Sequence, residues 1–184
     1  VASALELYLL ALLSGPASPD FTLTDTSSIA TGNVTSQTLI TAAYPTLPGA
    51  PAGTIYELKV PFGGTWGAQL MTVSADIAGT YTALAVVGAA AGSSGDTIGG
   101  TMILTAAVVS GTTCRLSLSG SLADLTVSGG HLLSSSGVPL ASNVLTGVAF
   151  TGGNTIALAV EFGGSTAGQG INTGGSRLTR YGPA

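Results

Sequence analysis

The stretch Thr155-Ile156-Ala157-Leu158-Ala159-Val160-Glu161-Phe162 decides the fold. Ile156, Leu158, Val160 and Phe162 alternate with small or polar residues, a period of two. Successive side chains of a β-strand point to opposite faces, so one face of this strand is apolar and the other is not. A Gly/Ser-rich turn is expected from Gly163 to Gly170, followed by a closing strand that carries Arg177-Leu178-Thr179-Arg180 into Tyr181. Asn154 to Tyr181 therefore reads as a terminal strand pair. Arg177 and Arg180, three apart, face opposite sides of their strand; one can face an interface and pair with an acid such as Glu161 on the adjoining strand, and at least one is expected to be solvated at the domain edge. Both are interface candidates.

The same alternation runs through the preceding residues. Tyr56, Leu58, Val60 and Phe62 line one side of a strand from Thr54, and Gly63-Gly64 turns the chain. Further strands are expected over 68–75, 80–87, 101–109, 113–119, 122–127 and 144–150, with Ile77-Ala78-Gly79 as a break and Thr82, Leu84 and Val86 sharing a side. The strand from Thr101 to Val109 is apolar on both sides, which implies cover on both faces by a subunit interface or an overlying arm. Ile103 and Val109 are its interface candidates. Short strands separated by turn signals mark an all-β sandwich or barrel.

Before Thr54 the pattern differs. Val1 to Leu13 is rich in Ala, Leu and Glu and is predicted to be a short helix ended by Gly15-Pro16. Leu5, Leu9, Leu12 and Leu13 share one face and are candidates for docking on the sandwich or on a neighbouring subunit. Residues 14–53 are rich in Pro, Thr and Ser, with Pro16, Pro19, Pro45, Pro48 and Pro51. Proline gives no donor to a ladder, so an extended arm is expected, with short strands at Phe21–Thr24 and Gln37–Thr41. The domain organisation is thus a helix and arm over 1–53 and a sandwich over 54–184.

Composition bounds the function. Charged residues are 7% of the 184 and aromatics 5%, against a hydrophobic share of 45%. Ordinary domains carry about 25% charged residues. So bland a surface is a solubility hazard unless other chains cover it. Four basic residues in a chain of net charge −4 give no footprint for a nucleic-acid backbone. The run Leu5 to Leu13 is about half the ~20 residues that a membrane-spanning helix needs, and it lacks the basic lead of a signal peptide. Neither a nucleic acid nor a membrane is an expected partner.

Catalytic chemistry finds few candidates. His131 is the single histidine, and no serine sits in a G-x-S-x-G elbow. The carboxylates Asp76, Asp96, Asp124 and Glu161 are scattered, and Trp66 is the single tryptophan available to line a sugar groove. No calcium-loop motif surrounds Asp96. Gly168-Gln169-Gly170-Ile171 lacks the spacing of a dinucleotide loop and reads as a turn. Cys114 lies in a strand pattern, where a packed thiol is expected. Asn33-Val34-Thr35 fits a glycosylation acceptor, a motif frequent by chance. The expectation is a protein with no enzyme activity, catalytic residue, cofactor, metal or small-molecule substrate.

The run Leu145-Thr146-Gly147-Val148-Ala149-Phe150, the strand from Asn154 to Phe162 and the Arg-bearing last strand resemble the end of β-sandwich domains in tailed-phage virion proteins. Such domains resemble a jelly roll of tumour-necrosis-factor type and often form trimers. The resemblance covers roughly residues 54–184. It implies a jelly-roll sandwich and a capsid decoration (cement) protein that trimerises on the capsid surface and bridges the major capsid protein. The alternative it implies is a tail-fibre or receptor-binding head that recognises a host glycan.

Overall fold

Where apolar and polar residues alternate, burying one face of each strand is the cheapest way to remove apolar area from water, and two sheets then share one core. The computed structural model describes residues 19–46, 50–65, 69–87, 95, 97–124, 131–132, 141–146, 154–164 and 168–182. The expected helix, with Leu5, Leu9, Leu12 and Leu13, lies outside the described residues, as do Trp66 and Asp96.

The described strands are β1 (Pro19–Asp25), β2 (Ile29–Thr31), β3 (Thr38–Leu39), β4 (Tyr44–Pro45), β5 (Ile55–Thr65), β6 (Met71–Ile77) and β7 (Thr80–Val87). They continue with β8 (Thr97–Ser110), β9 (Thr113–Asp124), β10 (His131–Leu132), β11 (Ala141–Thr146), β12 (Thr155–Phe162), β13 (Gly170–Thr173) and β14 (Ser176–Tyr181). They form two antiparallel sheets. The larger runs β1-β14-β5-β8-β9-β10, with β11 also on β9 and β13 joining β2 to β5. The smaller runs β3-β12-β6-β7, with β4 also on β12.

The core lies between the sheets. Tyr56, Leu58, Val60, Met102, Leu104, Leu116, Leu118 and Leu178 of the larger sheet are buried, as are Met71, Val73, Ile77, Ile156, Leu158, Val160 and Phe162 of the smaller. Each apolar row expected for β5 and β12 faces inward.

Four expectations change. Gly63-Gly64 does not turn the chain: β5 runs through both glycines to Thr65, in register with β8. The strand pair Asn154–Tyr181 is not a hairpin: β12 pairs with β6, β3 and β4, whereas β14 pairs with β5 and β1 in the other sheet. Glu161 accordingly accepts a hydrogen bond from Gln37 Nε2 at 2.9 Å, and no arginine stands beside it on an adjoining strand. The stretches read as fifth and sixth strands are one, β9. Gly170-Ile171, read as a turn, opens β13, where glycine is required: a Cβ on Gly170 would strike the Thr31 carbonyl oxygen of β2.

Residues 19–46 are extended, as expected, and pairing crosses the expected boundary at 53/54. β1 lies on β14, β2 on β13, and β3 and β4 on β12. Ile40 and Tyr44 of this segment enter the core. The Tyr44 hydroxyl accepts from the Asp25 N–H (3.0 Å) and donates to the Ser176 carbonyl (2.7 Å), tying the edge of the smaller sheet to β1 and β14.

Within the chain itself, double-sided burial falls on β6 and β12. Ser74, Ala157 and Ala159 point away from the core yet are fully buried. On β8 the outward residues Thr101, Ile103, Thr105 and Ala107 are half-buried and Val109 is exposed.

Candidate functional site

The pairing leaves the outer face of the larger sheet open, with Ile55, Lys59, Val109, Arg115 and Arg177 exposed on it. Register arranges it in rows, because residues opposite each other on antiparallel strands share a face. One row reads Tyr181, Ile55, Ala107, Arg115 across β14, β5, β8 and β9. The next reads Thr179, Glu57, Thr105, Ser117, and the next Thr24, Arg177, Lys59, Ile103, Ser119. The structure therefore brings Arg177 and Ile103 into one row, either side of Lys59. Val109 stands beyond Ala107 at the end of β8, next to the first row. Arg180 is in register with Tyr56, whose side chain is buried, so it faces the other side from Arg177, as the spacing requires.

Among the described residues five large apolar side chains are exposed, Leu70 before β6 and two pairs on the sheets. Ile55 and Val109 are 38% and 51% exposed on the larger sheet. Tyr81 and Val86, 44% and 54% exposed, lie on β7, the edge of the smaller sheet. Val86 was expected to share a side with Leu84. A register shift opposite Val73/Ser74 breaks the alternation, burying Leu84 and Ala85 together and turning Val86 outward.

A shallow cleft of about 340 Å³ opens where β1, β14 and β5 meet the Gly174-Gly175 turn. Thr24, Asp25, Thr26, Lys59, Pro61, Ser176 and Arg177 line it. Asp25 Oδ1 accepts from both the N–H and the hydroxyl of Ser27, which holds its carboxyl below the usual range. This cleft is not legible in the order of residues, because Lys59 and Arg177 meet only through the pairing of β5 with β14.

The remaining candidates are scattered. Cys114 is buried on β9, and burial pushes its thiol up to about 11. Asp76 is buried on β6; desolvation raises its carboxyl above the usual range, opposed by a hydrogen bond from the Gly79 backbone. His131 lies on β10, in register with Asp124. The Asn33 carboxamide oxygen accepts from Gln169 Nε2 at 3.0 Å. Among the described residues no three His, Cys, Asp or Glu could hold a metal ion, and no helix is long and apolar enough to cross a membrane.

No family model matches the chain, and no curated protein sequence matches it. Among solved structures, the chain is similar to arcelin-5, a lectin-like defense protein from Phaseolus vulgaris. The TM-score is 0.41 at 8% identity, over 88% of this chain and 98% of that one. It is also similar to the CBM2 module of the evolved Dit of Lactobacillus casei BL23 phage J-1. There the TM-score is 0.28 at 12% identity, over 91% and 97% of the two chains. Scores this low establish neither a common family nor a common function.

Proposed function

We propose that the protein is a non-enzymatic structural subunit, a jelly-roll sandwich that assembles with copies of itself on the surface of a phage capsid. The observation that carries this reading is the pair of exposed apolar patches on a charge-poor chain, Ile55 with Val109 on one sheet and Tyr81 with Val86 on the other. The patches differ, so a contact that joins the first of one copy to the second of the next is heterologous, and heterologous contacts that close make rings. Three copies form the smallest such ring beyond a pair. The outer face of the larger sheet also carries Glu57, Lys59, Arg115 and Arg177, so both signs of charge are available to a neighbouring copy.

The strand order is compatible with this reading: a jelly roll winds eight strands as two Greek keys, and β1-β14-β5-β8 faces β3-β12-β6-β7, with β9, β10 and β11 extending one sheet. Jelly rolls recur in viral capsids and in lectins. On a capsid, the ring would bridge major capsid proteins and add buried area between them, at roughly 1,200–2,000 Å² per contact.

Light scattering at micromolar concentration tests the assembly. The expected mass is three times the 17.8 kDa of the chain. Val109→Lys and Val86→Lys should each give folded monomers, since either removes one half of the same contact. A wild-type protein that stays monomeric and does not bind particles overturns the reading.

A further inference from the structure

We infer that the cleft between β1, β14 and β5 binds a carboxylate-bearing sugar, with Arg177 and Lys59 holding the carboxylate. The inference starts from a pairing that a sheet ordinarily avoids. Arg177 and Lys59 are directly opposite each other on β14 and β5, both exposed, and they are half of the chain's four basic residues. Like charges in that position destabilise a sheet. An anion seated between them converts the repulsion into two charge-assisted hydrogen-bonding contacts. The guanidinium supplies a planar fork that matches a carboxylate, and the ammonium supplies a point charge.

The surroundings select among anions. Thr24 continues the row beyond Arg177 on β1, and neighbouring strands are about 4.8 Å apart, so Thr24, Arg177 and Lys59 span roughly the width of one sugar ring and its carboxylate. Asp25 and Thr26 also line the cleft. A carboxylate with a free oxygen accepts hydrogen bonds from ligand hydroxyls, and threonine both donates and accepts. Asp25, which holds Ser27, repels a dianion such as sulfate about twice as strongly as a singly charged acid at the same distance. Pro61, two residues beyond Lys59 on the same side of β5, offers an apolar surface to the C–H face of a ring. A volume of about 340 Å³ suits one or two rings.

This goes beyond the assembly reading, and the two can fail separately. The test is an NMR titration of the full chain and, in parallel, of its Val109→Lys variant, in which the cleft is intact. The probe is glucuronate, with glucose, acetate and sulfate as comparators. Glucuronate should give saturable shifts at the Thr24, Lys59 and Arg177 amides. Glucose should give none, and acetate and sulfate should bind at least tenfold more weakly. Arg177→Gln and Lys59→Gln should each weaken glucuronate about tenfold or more, as loss of a hydrogen bond to a charged group does. Arg177→Lys should fall between, because it keeps the charge and loses the fork. Lys59→Gln should melt no lower than wild type, since it relieves the repulsion. Should a variant fail to fold, the comparison of the four probes on the wild-type chain decides. No saturable response to glucuronate, equal binding of sulfate, or unchanged affinity in the folded variants overturns the proposal.

Discussion

At the scale of single residues, a few polar groups carry consequences that their number would not suggest. The Tyr44 hydroxyl is buried and serves the Asp25 N–H and the Ser176 carbonyl at once. Tyr44→Phe leaves both without that partner, and urea unfolding should show a loss of about 1–3 kcal/mol. Asp76 acts in the opposite sense. Its folded carboxyl titrates above the usual 3.8 because burial penalises the charge. Its favourable contribution is therefore full below the unfolded value and is lost as pH rises through the folded one. Asp76→Asn should melt higher than wild type at pH 7, and the difference should shrink to nothing well below pH 3.8. Equal melting at both ends would show that the buried carboxylate costs nothing. The cleft pair, Lys59 and Arg177, belongs to the same scale. Each looks like an isolated surface cation in the sequence, and only register makes them neighbours.

At the scale of elements, the β6–β7 hairpin shows what alternation can and cannot say. Ile77 pairs with Thr80, so Ala78 and Gly79 alone make the turn, both with positive φ (55° and 81°). A two-residue turn of this kind matches the twist of its strands, and Asn-Gly fits it best. Alanine is strained there, so Ala78→Asn should raise stability by about 1 kcal/mol in thermal unfolding. The break at Ile77-Ala78-Gly79 was legible because turn chemistry is local. So were the inward faces of β5 and β12, because Tyr56, Leu58, Ile156 and Val160 alternate without interruption. Partnership was not legible. Backbone hydrogen bonds are the same in every strand, so nothing in β12 announces that β14 lies in the other sheet. The shift that turns Val86 outward was equally hidden, since a bulge is set by the partner strand as much as by its own residues.

At the scale of the whole molecule, residues 19–46 bear on the integrity of the sandwich. They supply the strands at one edge of each sheet, together with Ile40 and Tyr44 of the core. Removing residues 1–46 should therefore abolish cooperative unfolding, as followed by calorimetry. A truncated chain that still melts in one sharp transition would mean that β5 to β14 suffice. The order of synthesis adds a further consequence. β5 needs β14 on one side, and β1 pairs with β14 alone, so the larger sheet stays open along that seam until residues 176–181 have left the ribosome. Contacts so distant along the chain form slowly. The nascent protein should thus emerge with its apolar strands uncovered until those residues are clear of the exit tunnel, which makes it a client for whatever holdase waits there.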